Sequence, residues 1–194
     1  MSNPRIISGK YKNQTLEVPS SARPITDRVK QVLFDTIQQV IVDSKVADLF
    51  AGSGNIGIEA LSRGAKSVVL VENDERAVEV IKDNLSKLRI TDDPARNASH
   101  SDAGGKLQII KQSYSAFCDS YEEKFDLIFL DPPFEKVLTT DLSKLVRILA
   151  SGAYVVIKVA TEDMNEFQVP ESFKLVLEKK VGSNTLVFLQ KSLV

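Results

Sequence analysis

The sequence predicts an α/β fold: a mainly parallel seven-stranded sheet with helices on both faces, an antiparallel hairpin at its C-terminal edge, and a small N-terminal β-hairpin ahead of it. Three observations carry this prediction. From Lys45 onward, short apolar runs alternate strictly with amphipathic runs of helical period, a pattern that builds parallel sheets covered on both faces. The alternation stops at the C-terminus, where "FKLVLEKKVGSNTLVFLQK" gives two strands around Gly-Ser-Asn with no helix between them. The N-terminal "RIISGKYKNQTLEV" alternates apolar and polar residues around a Ser-Gly turn, which reads as a hairpin.

In chain order, residues 1–22 form a basic hairpin extension and residues 23–194 a single compact domain. From Thr26 the period changes: Val29, Val32, Leu33, Thr36, Ile37, Val40 and Ile41 follow helical spacing, with Thr26 as N-cap and Pro24 just ahead. Strand "KVADLF", a glycine loop and helix "NIGIEALSRG" come next, followed by strand "SVVLVE" and helix "ERAVEVIKDNLSKL". Strand "KLQIIK", helix "SAFCDSY", strand "FDLIFL", helix "TTDLSKLVRIL" and strand "AYVVIKV" complete the alternation. The polar, small-residue-rich stretch from Ile90 to Lys106 is longer than most helix-to-strand connections and is expected to be a mobile surface loop.

Composition excludes several functions. With 43% apolar and 26% charged residues the chain has the make-up of a soluble globular domain. Its longest apolar run, Ala153–Ile157, falls far short of the roughly 20 residues a membrane span needs, and no signal-peptide core is visible. A cytoplasmic protein without membrane contact is expected. One cysteine, Cys118, and one histidine, His100 in a loop-like stretch, leave no material for a disulfide, a histidine-based metal site or a catalytic triad. Net charge is −1, but residues 1–30 carry Arg5, Lys10, Lys12, Arg23, Arg28 and Lys30 against Glu17 and Asp27, a local excess of +4 over a body of −5. A basic arm on an acidic body is one way to meet phosphates; a solvated charged hairpin is the other reading.

"DLFAGSGNIG" follows the first strand and opens a helix, and Gly52, Gly54 and Gly57 have the spacing of a nucleotide-binding glycine loop. Glu72, ending the second strand, is placed to accept hydrogen bonds from ribose hydroxyls. Asp48 separates two ligand classes. A carboxylate four residues before the first glycine repels the pyrophosphate of a dinucleotide. It attracts S-adenosylmethionine, whose ammonium and sulfonium are both cationic. The alternative is that Asp48 only caps a turn.

The stretch "FDLIFLDPPF" ends a buried strand on a carboxylate, two prolines and an aromatic. An exocyclic amino group is a poor nucleophile because its lone pair is delocalised into the ring, and acceptors on its N–H bonds draw that pair out. The Asp131 carboxylate and the Pro132 carbonyl are two such acceptors. Pro132 and Pro133 fix the backbone and remove competing donors, and Phe134 offers a face on which an extruded base stacks. In an open α/β sheet this seat meets the glycine loop where strand order reverses.

Together "RIISGKYKNQTLEVP", "RPITDRVKQVLF", "DLFAGSGNIGIEALSRGAKSVVLVE" and "FDLIFLDPPF" resemble the RsmD family of 16S rRNA (guanine-N(2)) methyltransferases across nearly the whole chain. The resemblance implies a Rossmann-like class I S-adenosylmethionine-dependent methyltransferase fold. The implied cofactor residues are Asp48, Phe50, Ala51, Gly52, Ser53, Gly54, Asn55, Gly57, Glu72, Asn73, Ser113 and Tyr114. Amino-group chemistry is implied at Asp131 to Phe134, and 16S rRNA or a small-subunit particle as partner of the basic N-terminal element. Three positions depart from the family pattern. Ser113 stands where Asp or Asn is frequent, Lys158 where an acid is frequent, and Ile25 replaces a threonine. The same seat would serve adenine or a glutamine side chain, so the amino acceptor stays open at this level.

Overall fold

The computed structural model describes residues 3–19, 25–92, 105–133 and 139–192. Seven strands form one sheet: β1 (Lys45–Asp48), β2 (Ser67–Glu72), β3 (Lys106–Lys111), β4 (Phe125–Leu130), β5 (Leu149–Ala160), β6 (Phe173–Val181) and β7 (Asn184–Lys191). Their order is β3-β2-β1-β4-β5-β7-β6. The first five pair in parallel, while β7 runs antiparallel to both β5 and β6. The chain steps outward from β1 to β3 and returns to lay β4 on the other side of β1. The order therefore reverses between β1 and β4, and the carboxyl ends of those strands open onto a crevice.

Helices α1 (Asp27–Thr36), α3 (Asn55–Ser62) and α4 (Glu75–Lys87) cover one face, where Phe34, Ile58, Leu61, Ile81 and Leu85 pack on Val46, Leu70 and Phe129. Helices α5 (Tyr114–Ser120) and α6 (Leu145–Ile148) cover the other, with Phe117, Leu145 and Ile148 against Ala47, Val69 and Ile128. A sheet so enclosed explains why β2 and β4 read as unbroken apolar runs rather than alternating ones.

Two predicted helices come out differently. The expected helix through Ile41 breaks at Ile37, with a short α2 (Gln38–Ile41) beyond it. The Thr36 hydroxyl donates to the Val32 carbonyl at 2.6 Å, a side-chain bond that competes with the helical ladder. The expected helix over "TTDLSKLVRIL" shortens to a 3-10 turn (Leu142–Lys144) and α6, capped by Asp141, whose carboxylate accepts from the Ser143 N–H at 3.0 Å.

The N-terminal hairpin is tied to the core rather than standing off it. It forms a single antiparallel bridge, Arg5 to Thr15, and buries Ile6 and Leu16 in the main hydrophobic cluster. Its turn docks on α3: Ile7 and Ser8 N–H groups donate to the Glu59 carboxylate at 2.7 and 3.1 Å, and Lys10 N–H to the Ser62 carbonyl at 2.9 Å. Asn84 of α4, fully buried, holds Glu17 through both its amide atoms and reaches the Ser53 carbonyl at 3.0 Å. One side chain thus joins the hairpin, α4 and the glycine loop. The stretch expected as a mobile loop lies mostly at residues 93–104, outside the described residues, as does His100.

Candidate functional site

The crevice is built first by the glycine loop. Gly54 caps α3 with φ +78, a left-handed conformation that penalises any side chain, and Gly57 lies so close to β2 that a Cβ would stand 2.1 Å from Leu70 Cδ2. The loop is fastened by the Ala51 N–H to the Val71 carbonyl at 3.1 Å and by the Gly52 N–H to Glu72 Oε2 at 2.8 Å. A Cβ built on Gly52 would meet nothing within 4 Å. The backbone there leaves room for a ligand.

Asp48, 1% exposed, accepts from the Gly57 N–H with Oδ2 at 3.0 Å and has no partner for Oδ1. Burial pushes its pKa up to about 7; repulsion from Asp131 and Glu72 adds to this, and the Gly57 amide and, less, the Phe50 amide oppose it. The carboxylate therefore does cap α3, yet only one of its oxygens is used for that. A buried acceptor with an unmet lone pair suits a cationic ligand, so the site fits the ammonium of S-adenosylmethionine.

Glu72 is better supplied. Its Oε1 accepts from the N–H groups of Asn73 and Asp74 at 2.8 and 2.9 Å, and its Oε2 from Gly52 alone. Four lone-pair sites shared among three donors leave one on Oε2 for a hydroxyl. Glu72 borders a cleft of about 430 Å³ whose walls include Phe50, Asn73, Ser113, Tyr114 and Pro133. Phe50 and Tyr114 stack at 5.6 Å between centroids, and the Tyr114 hydroxyl, its pKa raised by burial, donates to the Asp141 carbonyl at 2.8 Å. Ser113 is the N-cap of α5, its Oγ accepting from the Ala116 N–H at 3.3 Å. That duty explains why Ser serves where Asp or Asn was expected, since all three are favoured caps.

Not every predicted cofactor residue faces the crevice. Asn55 is buried and its Oδ1 accepts from Lys30 Nζ at 2.6 Å, which directs the amide toward α1. Ala51 and Ser53 are buried and contribute backbone, not side chains, to the loop's bonding.

Asp131 leaves the end of β4 one residue past the pair Leu130–Ile157, beside Lys158 of β5. Lys158 Nζ lies 2.5 Å from Asp131 Oδ1, with the two side chains 12% and 17% exposed. Desolvation raises the Asp131 pKa and Lys158 works against that rise. Pro132 is buried, Pro133 exposed at the cleft, and Phe134 lies outside the described residues.

The basic set is dispersed. Lys10, Lys12 and Arg28 are not buried, the first with its ammonium 5.6 Å over the Tyr11 ring. Arg5 is exposed and paired with Asp27 at 3.0 Å, and Arg23 lies outside the described residues. Lys30 must be withdrawn as a phosphate contact. It is fully buried, bonded to the Arg5 carbonyl and Asn55 at 2.6 Å each and to Glu59 at 3.3 Å, with its pKa lowered by desolvation against the pull of Glu59. Its place on the apolar stripe of α1, one residue after Val29, was the available warning. Arg63 escaped the sequence reading. It pairs with Glu59 at 2.7 Å, sits over the Phe34 ring and, with Arg5 and Lys12, lines a polar cleft of about 540 Å³. Its spacing of four from Glu59 is the signal that could have found it.

The family model described as conserved hypothetical protein 95 matches residues 4–190. The chain belongs to this family. The chain is 34% identical over 184 residues to Ribosomal RNA small subunit methyltransferase D of Haemophilus influenzae, spanning 92% of this chain and 89% of that protein. To the putative rRNA methyltransferase YlbH of Bacillus subtilis it is 33% identical over 182 residues, 91% of each. The solved putative methyltransferase yhhF of Escherichia coli superposes with a TM-score of 0.76 at 29% identity, over 98% of both chains. The resemblance to the RsmD family is thus borne out, and the sheet is the Rossmann-like class I methyltransferase fold. Among the described residues no helix is long and apolar enough to cross a membrane and no cluster of three or more acidic, His or Cys side chains could hold a metal ion.

Proposed function

We propose that this chain methylates the exocyclic amino group of a guanine in small-subunit (16S) rRNA, free or within a ribosomal particle, using S-adenosylmethionine. The observation that carries the reading is the placement of Asp131 and Pro132 at the end of β4, directly across the strand-order switch from Asp48 and the glycine loop. The names of its relatives supply the RNA class. Residues 1–22 then act as a substrate-facing extension of the domain at 23–194, in the cytoplasm where ribosomal RNA is found.

When bound, S-adenosylmethionine would supply an electrophilic methyl group on a cationic sulfur, which would leave as a neutral thioether. Asp48 would hold the ammonium end and Glu72 Oε2 would accept a hydrogen bond from a ribose hydroxyl, while Phe50 and Tyr114 form the apolar wall of the cleft. Asp131 and the Pro132 carbonyl accept the two N–H bonds of the amino group and turn its lone pair toward the methyl carbon. Methylation would cost the amino nitrogen one proton, and the Asp131 carboxylate is the group placed to take it.

Incubation with isotopically labelled S-adenosylmethionine and small-subunit rRNA or particles lacking the modification, followed by mapping of the label, tests this. Label on a single guanine amino nitrogen is expected. Label on adenine, on protein glutamine, or nowhere would refute it.

A further inference from the structure

The ion pair between the end of β4 and the neighbouring β5 is not accounted for by stability. The parallel register places Asp131, one residue past the end of β4, beside Lys158, which is still within β5 and paired with β7, and both side chains are largely shielded from water. Replacing a shielded ion pair by apolar residues is often neutral or stabilising, so packing alone does not call for one here. The pair lies in the seat assigned above to the amino group, and a lysine ammonium takes up an acceptor that the substrate needs. A carboxylate has about four lone-pair sites, however, and a single N–H bond to Oδ1 leaves Oδ2 for a second donor.

Resting on that reading of Asp131, we propose that Lys158 is a positioning residue for methyl transfer to the amino group: its ammonium clamps Oδ1 of Asp131 and keeps Oδ2 presented, as an acceptor, to the substrate nitrogen. The surroundings make the clamp necessary. Among the described residues the charged groups around Asp131 are Lys158 on β5, Asp48 on β1 and, beyond Asp48, Glu72 on β2. Three carboxylates crowd one crevice, and burial already favours the protonated form of Asp131. A protonated Asp131 offers an O–H where an acceptor is required and opposes an amino group that only donates. Among the described residues Lys158 is the cation that counters this, before any cationic ligand arrives.

The test compares wild type, Lys158→Met and Lys158→Arg, first by melting temperature to establish folding, then by kcat and KM across pH with the labelled-methyl assay. Methionine keeps the stem and removes the charge. Its kcat at neutral pH should fall about tenfold or more, equivalent to one pH unit of displacement, and recover as pH rises, with KM for S-adenosylmethionine within about threefold. Lys158→Arg should retain the wild-type acidic limb. An acidic limb in Lys158→Met that coincides with wild type, or an Arg variant that behaves like Met, overturns the proposal. The second measurement needs no turnover: ¹³C-carboxyl NMR titration of Asp131 in wild type and Lys158→Met. Upward movement of the Asp131 titration in the variant supports the clamp, and coincident titrations overturn it. Should wild type methylate no RNA, the proposed function falls while this titration still decides the role of Lys158.

Discussion

The molecule treats buried charge in opposite ways at two places. Beneath the N-terminal hairpin, Glu59 is saturated: Oε2 takes the Ile7 N–H and Lys30, and Oε1 takes the Ser8 N–H and Arg63. At the crevice, Asp48 uses one oxygen and leaves the other without a partner, and Asp131 is held at one oxygen by Lys158. Four lone pairs matched to four donors make a joint that has nothing left to give a ligand. Partial satisfaction costs stability and leaves reactive capacity, which is the condition of a site. The contrast predicts that damage to the first region is felt in folding and damage to the second in chemistry.

The largest effect should follow Glu59→Ala, which strands Lys30 and Arg63 and orphans two backbone donors. Breaking a buried pair from one side costs about 3–5 kcal/mol, a large share of a domain's net stability. Urea denaturation should show that loss. A variant with wild-type midpoint would break the comparison. Asp131→Ala should do the reverse, lowering turnover by about a hundredfold or more with cofactor affinity unchanged within a few-fold, because it removes an acceptor that matters most in the transition state. Near-normal turnover in that variant would remove Asp131 from the chemistry.

Glu72→Ala comes next. Hydrogen bonds to a charged acceptor are each worth about 1.5–3 kcal/mol, so calorimetry should find S-adenosylhomocysteine affinity down by about tenfold or more. The loss of the Gly52 tether adds to this. NAD should not bind at all, and tight NAD binding would undo the assignment of the loop.

A smaller effect tests Asp48 through pH. Its pKa in the folded chain is raised from 3.8 to about 7, so the folded state holds this proton more tightly than the unfolded state. Its contribution to apo stability therefore declines as pH rises through that window. If Asp48 holds the ammonium as proposed, cofactor affinity should run the other way, weakening as pH falls below about 7 and the carboxylate is neutralised. Calorimetry in buffers of different ionisation heat should detect proton release on binding. Asp48→Asn should bind more weakly and without that pH dependence; identical profiles for the two proteins would assign Asp48 to capping α3 alone.

Much of this was legible in the sequence because it rests on local rules. Period two against period 3.6 gave the strands and most helices, and the glycines with Asp48 and Asp131 at strand ends gave the crevice. What escaped depends on which side chains meet across the fold. Lys30 reads as one more cation of a basic arm until the hairpin closes over it: its place on the apolar face of α1 warns of burial, and only the fold brings up Glu59, on a different helix, as the partner. Asn55 sits in a ligand loop by position and faces α1 by geometry. Lys158 registers in the sequence only as a departure from a pattern; the register of β4 on β5 sets it against Asp131.

The smallest expected effect concerns the hairpin's outer surface, and it separates an RNA enzyme from a generic amino methyltransferase. Lys10 and Lys12 are exposed, and their side chains take no part in the bonds that dock the hairpin on α3, which run through backbone groups, Glu59 and the Ser62 hydroxyl. Neutralising both should leave stability and cofactor binding unchanged while weakening RNA binding. For every phosphate that a lysine no longer neutralises, the slope of log affinity against log salt should flatten by about 0.7–0.9. Affinity measured at several salt concentrations for wild type and Lys10→Gln/Lys12→Gln reads that slope directly. Lys30→Met is the control that sharpens the contrast, since a buried ammonium releases no counterion on binding: it should lower stability and, where still folded, leave the slope alone. Equal slopes for wild type and the double variant would mean that the hairpin cations are merely solvated. A slope changed by Lys30→Met but not by the double variant would mean that the hairpin opens on RNA and that its saturated joint is not permanently closed.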